Sequence, residues 1–220
     1  MRAPTKPLGL PLILPLGDSG LMVRFGATLS DDANRAAIAS ARRLRDGPPA
    51  GVTEIVPNLV SVLLKYDPKR VSFEALAGEV RLRLGEVGGE QTETATHRVA
   101  VTFDGEDVSA VAAALKLSPE AFVAAHCASP LRVLATGFAP GFVYCGFHPE
   151  ALASPRRTEV RAMVPAGTVL FAARQTAIAS TPIPTGWHVI GHTDFSNFEP
   201  AEEPPTRLGA GDRIVFEAVS

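Results

Sequence analysis

The residues from Gly137 to Tyr144, Gly-Phe-Ala-Pro-Gly-Phe-Val-Tyr, set three aromatic rings among two glycines and a proline within eight positions. Glycine gives the backbone freedom and proline fixes φ, so the segment reads as a shaped loop that holds Phe138, Phe142 and Tyr144 at set angles around Pro140. Rigid rings on a loop make a binding surface; the alternative is an ordinary loop whose rings plug the core, where most aromatics go. A second signal is Arg174-Gln175-Thr176, three polar groups amid apolar neighbours where one strand ends and another starts. Turned into a barrel, Arg174 and Gln175 would be costly unless they met a ligand, a partner or each other. Turned outward they simply meet water, and strand alternation alone does not assign the face.

Histidines and cysteines offer further chemistry. His126 sits at the C-terminal end of an expected helix, which favours its protonated form or a bond to a free carbonyl. Its neighbour Cys127 points elsewhere on a helix, so the two make a poor nucleophile–base pair. Cys145 and His148 are also close in sequence, and both thiols read as structural. His188 and His192 have the four-residue spacing of a helical metal site, but Gly186, Gly191 and the β-prone run between them favour a strand, so no metal is expected. There is no Cys-x-x-Cys pair, which argues against a disulfide framework and a structural zinc site, and a reducing cytoplasm fits two lone cysteines.

Composition narrows the classes. The 220 residues carry 21 Lys and Arg against 23 Asp and Glu, and the net charge of −2 offers no footprint for nucleic acid or an anionic membrane. Arg42, Arg43 and Arg45 form the densest basic group, at a helix end that they complement. No uninterrupted apolar stretch approaches the roughly 20 residues that cross a bilayer. Residues 1–16 superficially imitate a signal peptide, yet prolines interrupt the apolar run and no small-residue cleavage site follows, so the segment is expected to lead into a first strand. Neither a phosphate-binding Gly-x-x-x-x-Gly-Lys loop nor a Gly-x-Gly-x-x-Gly turn occurs, so any ATP is expected to be bound by another chain.

These groups need elements to hold them. Leu12 to Leu16 and Leu21 to Phe25 read as strands around a Gly17–Gly20 turn. Ser30 caps a helix with Asp31 and Asp32 in its first turn, ending near Asp46-Gly47-Pro48. Val52 to Val56 and Leu59 to Tyr66 are strands, and Ser72 caps a second amphipathic helix through Leu84. Between Gly85 and Thr96 the text loses its large apolar residues, and the boundary is placed there, giving an N-terminal α+β domain of residues 1–88 and a second domain of residues 89–220. His97 to Phe103 is a strand, followed by helices over Val108 to Lys116 and from Ser118-Pro119-Glu120. Short β-prone runs then follow at Leu131–Thr136, Thr168–Ala173, Ala177–Ser180, Trp187–Ile190 and Arg213–Val219, the spacing of a barrel or sandwich.

Taken together, the motifs Pro15-Leu16-Gly17-Asp18-Ser19, Tyr66-Asp67-Pro68, Gly137 to Tyr144, Val164-Pro165-Ala166-Gly167-Thr168, Arg174-Gln175-Thr176, Gly186-Trp187-His188-Val189-Ile190-Gly191 and Gly211-Asp212-Arg213 occur in one order over most of the chain. In this they resemble the family of B-type 5-oxoprolinase subunits and KipI kinase inhibitors, also described as allophanate hydrolase subunit 1. The resemblance implies an α+β fold: a small N-terminal α/β sandwich and a C-terminal cyclophilin-like β-barrel with decorating helices. It implies a cytoplasmic, non-autonomous subunit of an ATP-dependent amidohydrolase that opens 5-oxoproline to glutamate. Its partners would be a homologous second subunit of the C type and a third, lactamase-like subunit. ATP would serve the complex, with no cofactor bound by this chain alone. Two alternatives come with the family: an inhibitor gripping a sensor histidine kinase, and a carboxyltransferase component of a urea carboxylase system with a biotin-bearing partner. Under the enzyme reading His126, Arg174 and Gln175 are the candidate catalytic groups, supplying donors to a developing oxyanion. Phe138, Pro140, Phe142, Tyr144, Thr176, Trp187 and His192 are the candidate substrate- or partner-binding groups. The sequence departs from the family pattern at Leu170–Ala173, at Ala177–Ser180 and at His192, where Arg is frequent.

Overall fold

The computed structural model describes residues 10–85 and 95–219, and these form two compact units. The boundary expected after residue 88 and the lead-in expected for residues 1–9 lie outside the described residues.

In the first unit, β1 (Leu12–Leu16), β2 (Gly20–Arg24), β3 (Val52–Asn58) and β4 (Ser61–Tyr66) make an antiparallel sheet in the order β1-β2-β4-β3. Helix α1 (Asp31–Asp46) starts where Ser30 Oγ accepts from the Ala33 amide, a cap worth about 1 kcal/mol. Its buried residues Ala33, Ala37, Ala41 and Leu44 recur at three- and four-residue spacing, which is why one stripe faces the sheet. Helix α2 (Phe73–Gly85) adds Leu76, Ala77 and Val80 to the same core, against Leu21 and Val23 of β2 and Val62, Leu64 and Tyr66 of β4.

The second unit is the expected barrel. Its strands are β5 (Thr96–Thr102), β6 (Leu131–Thr136), β7 (Val143–Gly146), β9 (Thr168–Ala172), β10 (Gln175–Ile178), β12 (His188–His192) and β13 (Arg213–Val219). They run in the order β10-β7-β6-β13-β5-β12-β9 and close between β9 and β10. Among the described strands only β5 and β13 pair in parallel, from Arg213 opposite Thr96 to Val219 opposite Thr102. A ribbon of β8 (Arg161–Val164) and β11 (Ile183–Thr185) and two helices, α3 (Val108–Ala114) and α4 (Pro119–Cys127), complete it.

Alternation along the strands sorts their side chains between two cores. Val169 and Phe171 of β9, Ile178 of β10 and Val143 and Cys145 of β7 join the interior core with Phe122 of α4. Leu170 and Ala172, Ala177, and Tyr144 of the same strands face the other way, into a layer with Phe142, Trp187, Val164 and Ile183. The β7–β10–β9 wall is therefore covered on both sides, and any polar group on it must find a partner in one layer or the other.

Candidate functional site

Strands β7 and β10 of this wall, with the loops and the helix packed on it, carry most of the groups singled out in the sequence. On its inner side, Thr176 Oγ1 lies 2.8 Å from His126 Nε2 and 2.8 Å from His148 Nε2. Helix α4 delivers His126: Ser118 Oγ caps its start by accepting from the Ala121 amide, and Pro119 fills the first turn. The segment after β7 delivers His148, whose amide donates to the Arg174 carbonyl at 2.9 Å. All three side chains are buried. A hydroxyl has one proton to give, so Thr176 donates to one imidazole and accepts from the other, and the two neutral rings must hold opposite tautomers. Phe103, Phe122, Phe171 and Phe216 surround His126 with ring centroids 5.2 to 6.0 Å away.

This wrapping decides the charge. Burial pushes His126 well below the ordinary histidine range, with the neighbouring His148 adding to the effect. His148 is lowered to about 4, first by burial and then by the charge of Arg174. The helix end that was expected to favour a protonated His126 loses: a C-terminal dipole is worth about 1 kcal/mol, whereas desolvating an imidazolium among four phenyl rings costs several. His126 bonds the Thr176 hydroxyl rather than a free carbonyl. Burial likewise raises the Cys145 thiol far out of the reactive range and raises Cys127, so neither is a ready nucleophile.

On the outer side, the Gly137–Tyr144 loop builds a chain of edge-to-face rings. Phe138 meets Phe142 at 5.6 Å, Phe142 meets Tyr144 at 4.8 Å, and Tyr144 meets Trp187 at 6.0 Å. The Arg156 guanidinium lies 5.6 Å over the Trp187 ring. The loop is clamped at the Gly141 carbonyl, which accepts from Ser180 Oγ at 2.7 Å and Asn197 Nδ2 at 2.9 Å. Gly141 has φ +67°, and a Cβ there would come within 2.5 Å of Phe198, so no other residue fits. Phe142 and Trp187 are buried, whereas Phe138 is 70% exposed at φ +81°, a conformation that costs a non-glycine residue.

A family model described as carboxyltransferase domain, subdomain C and D, matches residues 11–208. The chain belongs to this carboxyltransferase-domain family. The B-type 5-oxoprolinase subunit of Bacillus subtilis (strain 168) is 34% identical over 219 residues, covering 93% of this chain and 91% of that protein. The crystal structure of TTHA0988 superposes with a TM-score of 0.80 at 37% identity over 91% of this chain, which spans only 40% of that longer polypeptide. The Kluyveromyces lactis urea carboxylase gives a TM-score of 0.77 over 98% of this chain and 22% of its own, at 12% identity, a likeness of fold alone.

In this carboxyltransferase-family barrel the sequence-selected groups fall on different sides of one wall. Phe138, Phe142, Tyr144 and Trp187 come together outside, with Pro140 on the same loop. Gln175 is buried beside Gly146, two residues before Ala177 on the outward-facing side of β10, and its Oε1 has no hydrogen-bond partner among the described residues. Thr176 and His126 meet inside. Arg174 occupies the turn between β9 and β10, where Ala173 and Arg174 both have positive φ. Its Nε donates to the His148 carbonyl at 2.8 Å and its Nη1 pairs with Glu150, so it props the histidine segment. His192 stands at the far end of β12, exposed, 2.8 Å from Asp104. His188, its partner in the metal spacing, has Nε2 3.0 Å from the Pro155 carbonyl.

Two features have no clear signature in the sequence. His148 mirrors His126 across Thr176, and beyond its nearness to Cys145 the polar triplet 174–176 is its one signal. Asp107 gathers Arg157 at 2.8 Å, Arg161 at 2.7 and 3.0 Å and the Val189 amide at 2.7 Å. Burial would raise this carboxyl, but these donors hold it below the usual carboxylate range. No spacing in the sequence joins residues this far apart.

Proposed function

We infer that this chain is the B-type component of a 5-oxoprolinase and is not autonomous: with a homologous C-type subunit and a third, lactamase-like subunit it opens the lactam of 5-oxoproline to glutamate at the expense of ATP. The observation that carries this reading is the end-to-end match with the B-type 5-oxoprolinase subunit of Bacillus subtilis, 34% identical over 93% of one chain and 91% of the other. Two physical features support it. The sequence holds no phosphate-cradling loop of its own. Phe138 sits exposed on a rigid, clamped loop at a backbone cost, which suits an anchor for a partner surface. More than half of the TTHA0988 polypeptide also lies outside the matched part, so there a unit of this kind is joined to a larger remainder.

In this reading Phe138 and Pro140 face the second subunit, Phe142, Tyr144 and Trp187 form the dry wall behind them, and Gln175 lies buried on the same side of β10. His126 and Thr176 hold the barrel wall from inside, and Arg174 positions the His148 segment. His192, with Asp104, remains a rim contact. Tagged chain co-expressed with its two cognate subunits is expected to retain them through size-exclusion chromatography; elution of this chain alone from all combinations would contradict the reading. The carboxyltransferase description of the family favours a second reading, transfer of a carboxyl group from a biotin-bearing partner. Bicarbonate-dependent carboxylation of urea by a complex containing a biotinylated subunit would identify it.

A further inference from the structure

In the sheet of the first unit, alternation turns Ile13, Leu21, Val23, Ile55, Val62 and Leu64 toward α1 and α2. The strand pairing then lays the opposite face out in three cross-strand rows: Leu12-Arg24-Ser61-Asn58, Leu14-Met22-Leu63-Val56 and Leu16-Gly20-Lys65-Glu54. The middle row is apolar from one edge of the sheet to the other, and none of its side chains joins the core under the helices. Beside it Leu12 and Leu16 are each 52% exposed, and Val56 within it is 38% exposed. An antiparallel sheet with one face in water normally alternates apolar and polar residues, and this one does not.

Its two free edges are blunted against a further strand. The Phe25 amide donates to the Val60 carbonyl and the Tyr66 amide to the Ser19 carbonyl, which fixes the direction of the alternating backbone groups across the sheet. Ile13 and Pro15 therefore present the free edge of β1, and Ile55 and Pro57 that of β3. Each proline removes an N–H that an added strand would use, and the Ile55 carbonyl already accepts from Arg45 Nε at 3.2 Å and Nη2 at 2.7 Å. A partner must meet this sheet face to face.

The face is complementary to itself. A two-fold axis along the middle row exchanges the outer rows, so that Leu12 meets Leu16 of the other copy, Asn58 meets Glu54, Ser61 meets Lys65, and Arg24 enters the space left by Gly20. An axis along the strands would instead set Leu16 on Glu54, burying a carboxylate against a leucine. We propose that this face is a contact between two copies of the chain, packed sheet on sheet about the Leu14–Val56 row at the usual angle of about 30°. It measures about 17 by 19 Å from strand rise and spacing, small for a specific interface, so association is weak and concentration-dependent, in about the micromolar range. Self-association of this kind does not depend on the 5-oxoprolinase reading.

The test is sedimentation equilibrium of the full chain from low to high micromolar concentration, where a monomer–dimer equilibrium is expected. Met22→Glu, at the centre of the face, is expected to weaken dimerisation at least about tenfold. Leu12→Lys and Leu16→Glu should each do the same alone, whereas the double variant, which sets an ammonium opposite a carboxylate across the axis, should recover most of the loss. Leu12 and Leu16 are exposed, so unfolding midpoints near that of the parent are expected for these variants, and they carry the test if Met22→Glu does not fold. A chain that stays monomeric throughout, a dimer indifferent to Met22→Glu, or a double variant no better than the single ones would each overturn the proposal. A monomeric parent that binds the C-type subunit, with that binding lost in Met22→Glu, would assign the face to that subunit and overturn it equally. The subunit reading stands or falls separately, on assembly and turnover.

Discussion

His126 and His148 face each other with ring centroids 4.6 Å apart, each 2.8 Å from one threonine hydroxyl and neither able to carry a proton at neutral pH. Their folded pKa values lie below the ordinary 6.5, so the unfolded chain binds more protons than the folded one in mildly acid solution. Stability is therefore fully present above about pH 6.5 and is lost as the pH falls towards 4. His148 alone accounts for a loss on the order of 3 kcal/mol by pH 4 on this basis. Thermal unfolding followed from pH 7.5 to 4.5 is expected to show a falling midpoint for the barrel unit, and a shallower fall in His148→Gln. A flat profile would contradict neutral burial of the pair.

The shared hydroxyl is expected to matter more than its size. Thr176→Val keeps the shape but strands at least one imidazole N–H, at a cost of roughly 2 to 3 kcal/mol. Thr176→Ser keeps the hydroxyl and should cost about 1 kcal/mol or less through the lost methyl. Equal stability of Val and Ser variants in urea denaturation would show that the hydrogen bonds carry no weight.

Phe138 and Phe142 touch, yet their substitution should part stability from assembly. Phe142→Ala empties a buried position and is expected to destabilise by about 3 kcal/mol. Phe138→Ala, at an exposed ring, should change stability by less than about 0.5 kcal/mol. Phe138→Gly should stabilise by about 1 kcal/mol, because φ +81° suits glycine. Both Phe138 variants are expected to weaken binding of the homologous C-type subunit at least about tenfold, a hot-spot loss measurable by biolayer interferometry. Undiminished binding would remove Phe138 from the interface.

Asp107 binds α3, β12 and the Arg157–Arg161 segment together, so Asp107→Asn is expected to cost roughly 3 kcal/mol by leaving Arg157 without its counter-charge and Arg161 with Glu106 alone. The same variant should become less sensitive than the parent to acid below pH 4, where the parent's carboxyl takes up a proton. Chemical denaturation at pH 7 and pH 3.5 measures both effects.

Much of the frame is legible in the residues themselves. Ser30 with Asp31 and Asp32 announces α1, Ser118-Pro119 announces α4, and Arg213–Val219 is a strand from end to end, because caps and β-branched runs act locally. β7 is hidden inside the aromatic loop: Gly137 to Gly141 hold the turn, but Val143 to Gly146 pair with β6 and β10, and pairing is not written in the segment that pairs. The four-residue β8 and three-residue β11 are too short to show a period. The site suffers most from this. Whether Arg174, Gln175 and Thr176 face inward depends on the phase of β10, and one residue of phase separates Gln175 outside from Thr176 inside. The aromatic ladder is readable because three of its members lie within a single loop and Trp187 stands in a motif of its own. The His126–Thr176–His148 triad is not, because its members are 28 and 50 positions apart.

If this chain takes part in lactam opening only in company, glutamate release from 5-oxoproline must depend on every member of the set. The rate of that release is to be measured with and without ATP for the purified chain, for its two cognate partners together, and for all three combined. Release is expected only from the complete set and only with ATP. Turnover by the chain alone, or none by the complete set, would contradict the proposed role.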